Sequence, residues 1–142
     1  MKLNCQNFNN NQPIPGEFAF CIPDPKEHVT LGGNKNPSLS WSDLPGGTKS
    51  LVLICHDPDV PSKPDDVNQE GRIVPGDLPR IDFYHWVLVD IPTNMTGIAT
   101  GEYSDGVTAR GKEGPDAQGG TRQGINDYTQ WFAGDADMEG RY

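Results

Sequence analysis

Two apolar runs stand out in a chain that is otherwise polar. Residues 51–55 read Leu-Val-Leu-Ile-Cys, and residues 83–91 read Phe-Tyr-His-Trp-Val-Leu-Val-Asp-Ile. Apolar runs of this length, bounded by turn residues, are typical of buried β-strands. Because residues 83–91 carry apolar side chains at both odd and even positions, the pattern favours a central strand over an edge strand.

Polar groups lie at the end of the first run and inside the second. Residues 56–61 read His-Asp-Pro-Asp-Val-Pro, and the two prolines are expected to end the strand there. Asp57 and Asp59 then face a turn, although Asp-Pro-Asp is also ordinary turn chemistry. His85 lies among hydrophobes in the second run, where a histidine is either a hydrogen-bonded core residue or a functional group. The spacing alone does not decide between these readings.

The rest of the pattern predicts short strands separated by loops. The chain has 17 Gly and 13 Pro, and no stretch has a long 3.6-residue period with helix caps. An all-β protein is therefore predicted, with Cys55 buried as a small hydrophobe and Trp41 at the core or its rim. Strands or extended segments are expected at residues 17–22, 29–31, 38–41, 106–110 and 125–128, after an arm or loop at residues 1–16.

Length, charge and cysteine content narrow the classes of function. At 142 residues the chain is expected to form one domain over residues 1–142. A net charge of −9 opposes binding to nucleic acid or to an anionic membrane surface. The three cysteines lack a Cys-x-x-Cys spacing, so neither a disulfide framework nor a zinc site is expected. No segment approaches the ~20 apolar residues of a membrane span, so stable membrane insertion is not expected and the cytoplasm is the predicted location.

Four blocks of sequence, in order, carry a resemblance to a known family. Residues 50–61 and 83–92 resemble the two signature segments of the phosphatidylethanolamine-binding protein family, in its bacterial branch related to the Raf kinase inhibitor protein. Residues 36–41 with 44–50, and residues 124–128, are similar to the family's flanking segments. The resemblance implies an antiparallel Greek-key β-sandwich with few short helices. It also implies a pocket at the mouth of the sandwich for small anions, phosphate esters or a phosphoethanolamine headgroup.

The same resemblance places Asp57, Asp59, Pro61 and His85 in that pocket. An imidazole N–H can donate to a phosphate oxygen, while a nearby carboxylate fixes the tautomer of the ring and raises its pKa. A carboxylate can also meet the amine of an ethanolamine headgroup, and Pro61 would supply a rigid wall. The expected activity is binding without catalysis and without a cofactor, because no activated nucleophile is evident.

Three alternatives stay open at the level of sequence. His56, Asp57, Asp59 and His85 are metal-ligating residue types, but their spacing fits no common metal motif. Hydrolysis of a phosphoester could use the Asp–His pair as a general base. A protein-interaction module, such as a kinase or protease regulator, could use the acidic surface and the polar loop at residues 62–80 as its contact area.

The resemblance ends before the family pattern does. Family members continue with a Gly- and Pro-rich loop, a Gly-x-His-Arg-Tyr-like strand and a terminal helix, whereas this chain stops at Arg141 and Tyr142. The chain could be a fragment, one of two chains, or a shortened homologue. A shortened homologue would leave strands of the sandwich unpaired, so a missing remainder is the favoured expectation.

Overall fold

The computed structural model describes residues 1–67, 69–128 and 141–142 of the chain. Within these residues the regular structure is almost entirely β, with one short 3-10 helix at Gln118–Gly120. The strands are β1 (Lys2–Cys5), β2 (Cys21–Asp24), β3 (His28–Leu31), β4 (Leu39–Ser42), β5 (Ser50–Pro61), β6 (Arg80–Pro92), β7 (Gly97–Ile98) and β8 (Arg122–Gln123).

The strands form two three-stranded sheets and a hairpin, and all pairings between them are antiparallel. One sheet has the order β1-β4-β7 and the other has the order β5-β6-β8, while β2 and β3 pair with each other. Apolar side chains from both sheets meet in a core that includes Trp41 of β4, Ile98 of β7, and Leu88 and Ile91 of β6. The predicted all-β antiparallel class is confirmed, and β6 is the central strand that its two apolar faces indicated.

Strand β5 is longer than the sequence pattern predicted. It continues through Pro58 to Pro61 instead of ending at residue 56. The pairing shifts between Asp57 and Val60, which lie opposite Phe83 and Ile81, so three steps on β5 match two steps on β6. An irregularity of this kind leaves a residue unpaired. A proline such as Pro58, which has no backbone N–H to donate to the neighbouring strand, is therefore tolerated here.

A second irregularity sets which side chains of β6 enter the core. Leu51 and Leu53 of β5 lie opposite Ile91 and Leu88, so β6 contributes one extra residue at this point. Asp90 has a positive φ of 58° and is exposed. Because the extra residue reverses the alternation, Leu88 and Ile91 both become buried despite their opposite parity.

Several local predictions were wrong. Residues 2–5 form β1, paired with β4, where an arm or loop was expected. The strand expected at residues 17–22 begins only at Cys21, and residues 106–110 form a bend, irregular backbone and a turn instead of a strand. Asp127 and Tyr128 have helical backbone, and Cys55 is exposed instead of buried.

The prediction that Trp41 lies at the core or its rim agrees with the structure. Trp41 is buried at 7% exposure, and its indole Nε1–H donates to the Met95 carbonyl oxygen at 2.6 Å. Among the described residues, no helix has the length and apolar character needed to span a bilayer. The assignment of residues 1–142 to a single domain stays a prediction.

Candidate functional site

Asp57 and His85 come together because β5 pairs with β6. Asp57 lies opposite Phe83 in the register, two residues before His85. Partial burial lowers the pKa of His85, while the negative charges of Asp57 and Asp127 act in the opposite direction with smaller effect. The net result is a lowered pKa, so the imidazole is neutral near pH 7 and carries one N–H donor.

Aromatic rings form one wall of the site around His85. Phe83 is buried at 4% exposure, and its ring centroid lies 4.8 Å from that of His85. The Tyr128 ring lies 5.6 Å from His85 and 5.0 Å from Phe83, and Phe20 contacts Tyr128 at 5.5 Å. Centroid distances in this range are those of favourable aromatic pairs, so the rings restrict the position of the imidazole.

Asp127 and Tyr128 reach the site from a segment far along the chain. The backbone N–H of Tyr84 donates to Asp127 Oδ2 at 2.6 Å, which fixes this carboxylate beside β6. Burial raises the pKa of Tyr128, and the nearby Cys21 and Asp57 add to that effect. The phenol is therefore protonated at neutral pH, and its O–H is a hydrogen-bond donor.

Sequence reasoning gave Asp127 and Tyr128 no role in the site. The available signal was the block Gly124-Ile-Asn-Asp-Tyr128, which carried part of the family resemblance. That block does not reveal its distance from His85, because the distance depends on the path of the chain after β8.

The imidazole of His85 is available to a ligand. Its ring nitrogens make no hydrogen bond within residues 1–67, 69–128 and 141–142. The ring packs against the aromatic rings of Phe83 and Tyr128 and lies near the charges of Asp57 and Asp127. In the same residues, no fully buried side-chain nitrogen or oxygen lacks a partner, so these nitrogens retain access to solvent. A polar ligand that enters the site can therefore bond to this ring without displacing a protein partner.

The other two predicted site residues, Asp59 and Pro61, have Arg80 as their neighbour. Asp59 is 81% exposed and its Oδ1 lies 3.7 Å from Nε of Arg80. Its backbone N–H donates to Asp57 Oδ1 at 2.8 Å, so Asp59 helps to orient Asp57 through the main chain. Pro61 is half-buried and pairs with Arg80 at the end of the ladder. Asp57 and His85 are thus brought together, whereas the Asp59 carboxylate turns towards Arg80.

His56 belongs to a separate cluster. Its Nε2 lies 2.9 Å from Asp82 Oδ1, and its ring stacks on Tyr84 with centroids 5.0 Å apart and planes inclined by 17°. The part of the chain that the structure describes contains no group of three or more His, Cys, Asp or Glu side chains placed to hold a metal ion.

The family model for phosphatidylethanolamine-binding proteins matches residues 4–140, nearly the whole chain. The chain belongs to the phosphatidylethanolamine-binding protein family. The family match therefore includes both β5 and β6 and the segment that carries Asp127 and Tyr128.

Relatives from bacteria and archaea agree with this assignment. The chain is 36% identical over 98 residues to a UPF0098 protein of Methanothermobacter thermautotrophicus, covering 69% of this chain and 46% of that protein. It is 32% identical over 90 residues to a UPF0098 protein of Chlamydia pneumoniae, covering 63% of this chain and 51% of the relative. The chain spans about half the length of the curated relatives it matches.

A solved structure has the same fold. The crystal structure of Escherichia coli YbcL, described as a new member of the mammalian PEBP family, aligns with a TM-score of 0.57 and 25% identity. The alignment covers 89% of this chain and 60% of the YbcL chain. The fold predicted from the family resemblance is therefore confirmed.

Proposed function

We propose that this member of the family binds a small phosphorylated or anionic ligand, of the phosphoethanolamine type, at the site formed by Asp57, His85 and Tyr128, without converting it chemically. The observation that carries the proposal is the imidazole of His85, which lies among aromatic rings and near two carboxylates with its nitrogens unbonded to the described protein.

The His85 donor suits a phosphate oxygen. The neutral imidazole offers one N–H, and the protonated Tyr128 ring, with its centroid 5.6 Å away, adds no negative charge to the site. Partial burial strengthens a hydrogen bond from this donor relative to a bond made in bulk water. A polar donor with access to solvent favours a compact oxyanion over an extended apolar molecule.

The carboxylates restrict the charge that the ligand can carry. Asp57 and Asp127 both act electrostatically on His85, so both lie near the position of a bound anion. A bare phosphate dianion would be repelled by them, whereas the ammonium group of phosphoethanolamine offers a partner for one carboxylate. We therefore expect the zwitterion to bind more tightly than inorganic phosphate.

Isothermal titration calorimetry of the chain with phosphoethanolamine, inorganic phosphate and ethanolamine tests the proposal. Saturable binding of phosphoethanolamine is expected, with weaker binding of the other two. A His85→Ala variant should bind at least tenfold more weakly, since it loses a charge-assisted or neutral hydrogen bond worth about 1.4 kcal/mol or more. The matched control is His28→Ala, because His28 lies on the exposed strand β3. Equal binding by both variants would refute the site.

Turnover is measured separately. Phosphomonoester and phosphodiester substrates are incubated with the protein, and release of phosphate or alcohol is followed over many enzyme equivalents. No release above that of the His85→Ala variant is expected; release that depends on His85 would instead make the protein a hydrolase. The proposal also includes a cytoplasmic location, which fractionation of cells that express the protein tests.

A further inference from the structure

His85 lies at an irregularity of strand β6. In the register, Cys55 of β5 lies opposite Trp86. The next residue of β5, His56, lies opposite Tyr84 instead of His85. One step on β5 therefore matches two steps on β6, and His85 is the extra residue of a β-bulge. Because a bulge bends its strand and changes the direction of a side chain, the direction of the imidazole depends on what holds the backbone at this point.

A side chain holds the backbone beside this bulge. Strand β8 pairs with two residues of β6, and the Gly124 N–H continues that pairing with a bond to the Val87 carbonyl oxygen at 2.8 Å. Further along β6, the Tyr84 N–H donates to Oδ2 of Asp127 at 2.6 Å. A carboxylate oxygen thus occupies the place that a carbonyl oxygen of a neighbouring strand has in a regular ladder. Since a bond to a charged acceptor is stronger than a bond between neutral groups, it fixes the main chain next to His85.

The residue that follows Asp127 packs against the imidazole. The Tyr128 ring centroid lies 5.6 Å from that of His85, and it lies 5.0 Å from that of Phe83 with the two planes inclined by 78°. Asp127 and Tyr128 are neighbours in the chain and both are half-buried, so the position of the carboxylate restricts the position of the ring. Asp127 therefore acts on His85 by two routes, through the Tyr84 backbone and through the Tyr128 ring.

We propose that Asp127 is a positioning residue of the ligand site, whose bond to the Tyr84 N–H holds the bulge and the Tyr128 ring so that the His85 imidazole is directed to a bound phosphate group. This inference rests on the ligand binding proposed above. It assigns to Asp127 a role that its charge alone does not supply, because a negative charge by itself repels an anion. The geometry of the hydrogen bond is what favours binding.

Two substitutions at residue 127 separate the charge from the hydrogen bond. Asp127→Asn removes the charge but keeps a side-chain oxygen that can accept from the Tyr84 N–H, whereas Asp127→Ala removes both. The two variants have the same net charge, so a difference between them measures the hydrogen bond. In calorimetric titrations with phosphoethanolamine, Asp127→Ala should bind about tenfold more weakly than Asp127→Asn.

The matched control is the same pair of substitutions at Asp77. Asp77 is exposed and lies in the loop at residues 62–80. Asp77→Asn and Asp77→Ala should bind phosphoethanolamine equally well. Circular dichroism verifies that each variant folds as the parent does. If Asp127→Ala does not fold, Asp127→Glu takes its place, because it keeps a carboxylate but moves its oxygens one methylene further from the backbone.

NMR of the free proteins measures the positions directly. In the parent and in Asp127→Asn, nuclear Overhauser contacts are expected between the ring protons of Tyr128 and His85, and the Tyr84 amide should exchange slowly with solvent. In Asp127→Ala the contacts should weaken and the Tyr84 amide should exchange faster. A residue that only stabilises the fold as a whole would not change these two signals selectively.

Failure of this inference and failure of the proposed function give different results. If the parent binds and the Asn and Ala variants of Asp127 bind equally well, the function stands and the role of the Asp127 hydrogen bond is refuted. If the parent does not bind phosphoethanolamine, the proposed function fails, and the NMR measurements, which need no ligand, decide whether Asp127 positions His85. Unchanged contacts between Tyr128 and His85 in Asp127→Ala would overturn the inference in either case.

Discussion

Replacement of Asn36 by alanine should destabilise the fold strongly, because this buried side chain connects β4 to the segment after β7. Asn36 is 6% exposed. Its Oδ1 accepts from the backbone N–H groups of Tyr103 at 2.8 Å and Ser104 at 3.0 Å. Its Nδ2 donates to the carbonyl oxygens of Ala99 at 2.8 Å and Pro37 at 3.0 Å. All the hydrogen-bonding capacity of the amide is therefore used inside the protein.

The magnitude follows from these four bonds. Each buried hydrogen bond contributes about 1 kcal/mol net, and a partner left unsatisfied costs about 1 to 3 kcal/mol. Asn36→Ala should therefore lower the free energy of unfolding by roughly 3 to 5 kcal/mol, a large part of the ~5 to 15 kcal/mol typical of a domain. The backbone bonds from Asn36 N–H to Ser104 and from Gly101 N–H to Asn36 involve main-chain atoms and stay available.

Urea unfolding followed by circular dichroism measures this change. The control is Asn10→Ala, which removes the same amide from an exposed position and should change stability by less than about 0.5 kcal/mol. The denaturant dependence should be the same in all three proteins, so that the midpoints report stability. A loss below about 1 kcal/mol for Asn36→Ala would refute the reasoning that the amide network holds this segment.

Two further predictions concern the site and the core. Burial lowers the pKa of His85 below its ordinary value of about 6.5, so the folded state favours the neutral ring. His85 therefore contributes to the free energy of unfolding above pH 6.5. This contribution is lost as the pH falls through the pKa that His85 has in the folded state. NMR titration of the His85 imidazole should give a pKa below the ordinary value of about 6.5. Sulfate, whose charge is constant from pH 8 to 5, should bind more tightly as His85 becomes protonated. A pKa above about 6.5 would contradict the assignment. Leu88→Ala should cost about 3 to 5 kcal/mol, since Leu88 is fully buried among Trp41, Ile91 and Ile98. Leu31→Ala, at a position 58% exposed, should cost less than about 1 kcal/mol in the same urea assay, and similar losses in the two variants would contradict the assignment of the core.

Local patterns predicted the elements whose apolar runs are long. Residues 83–91 are apolar on both faces, and β6 is indeed the central strand of its sheet. The abundance of Gly and Pro, with no helical period, gave the all-β class. These features are local properties of the chain, because alternation and turn residues act within a few positions. The family resemblance extended the prediction to the fold.

Pairing between strands far apart in the chain determined the features of the fold that local sequence patterns did not predict. Residues 2–5 look polar and unstructured in isolation, but they pair with β4 and so become β1. Pro58 is compatible with a strand because the register shifts around it, and Asp90 reverses the alternation so that Leu88 and Ile91 are both buried. Each of these depends on the partner strand, which the local sequence does not contain.

The candidate site was likewise predicted only in part from the sequence. Sequence identified Asp57 and His85 as polar groups at the end of one apolar run and inside another, and the family resemblance grouped them. Only the tertiary structure placed the Tyr128 ring 5.6 Å from His85 and brought Asp127 to the backbone of Tyr84. The sequence by itself determines which residue types and turn residues are present. Distances between groups far apart in the chain arise from the packing of the sheets, which depends on many contacts at once.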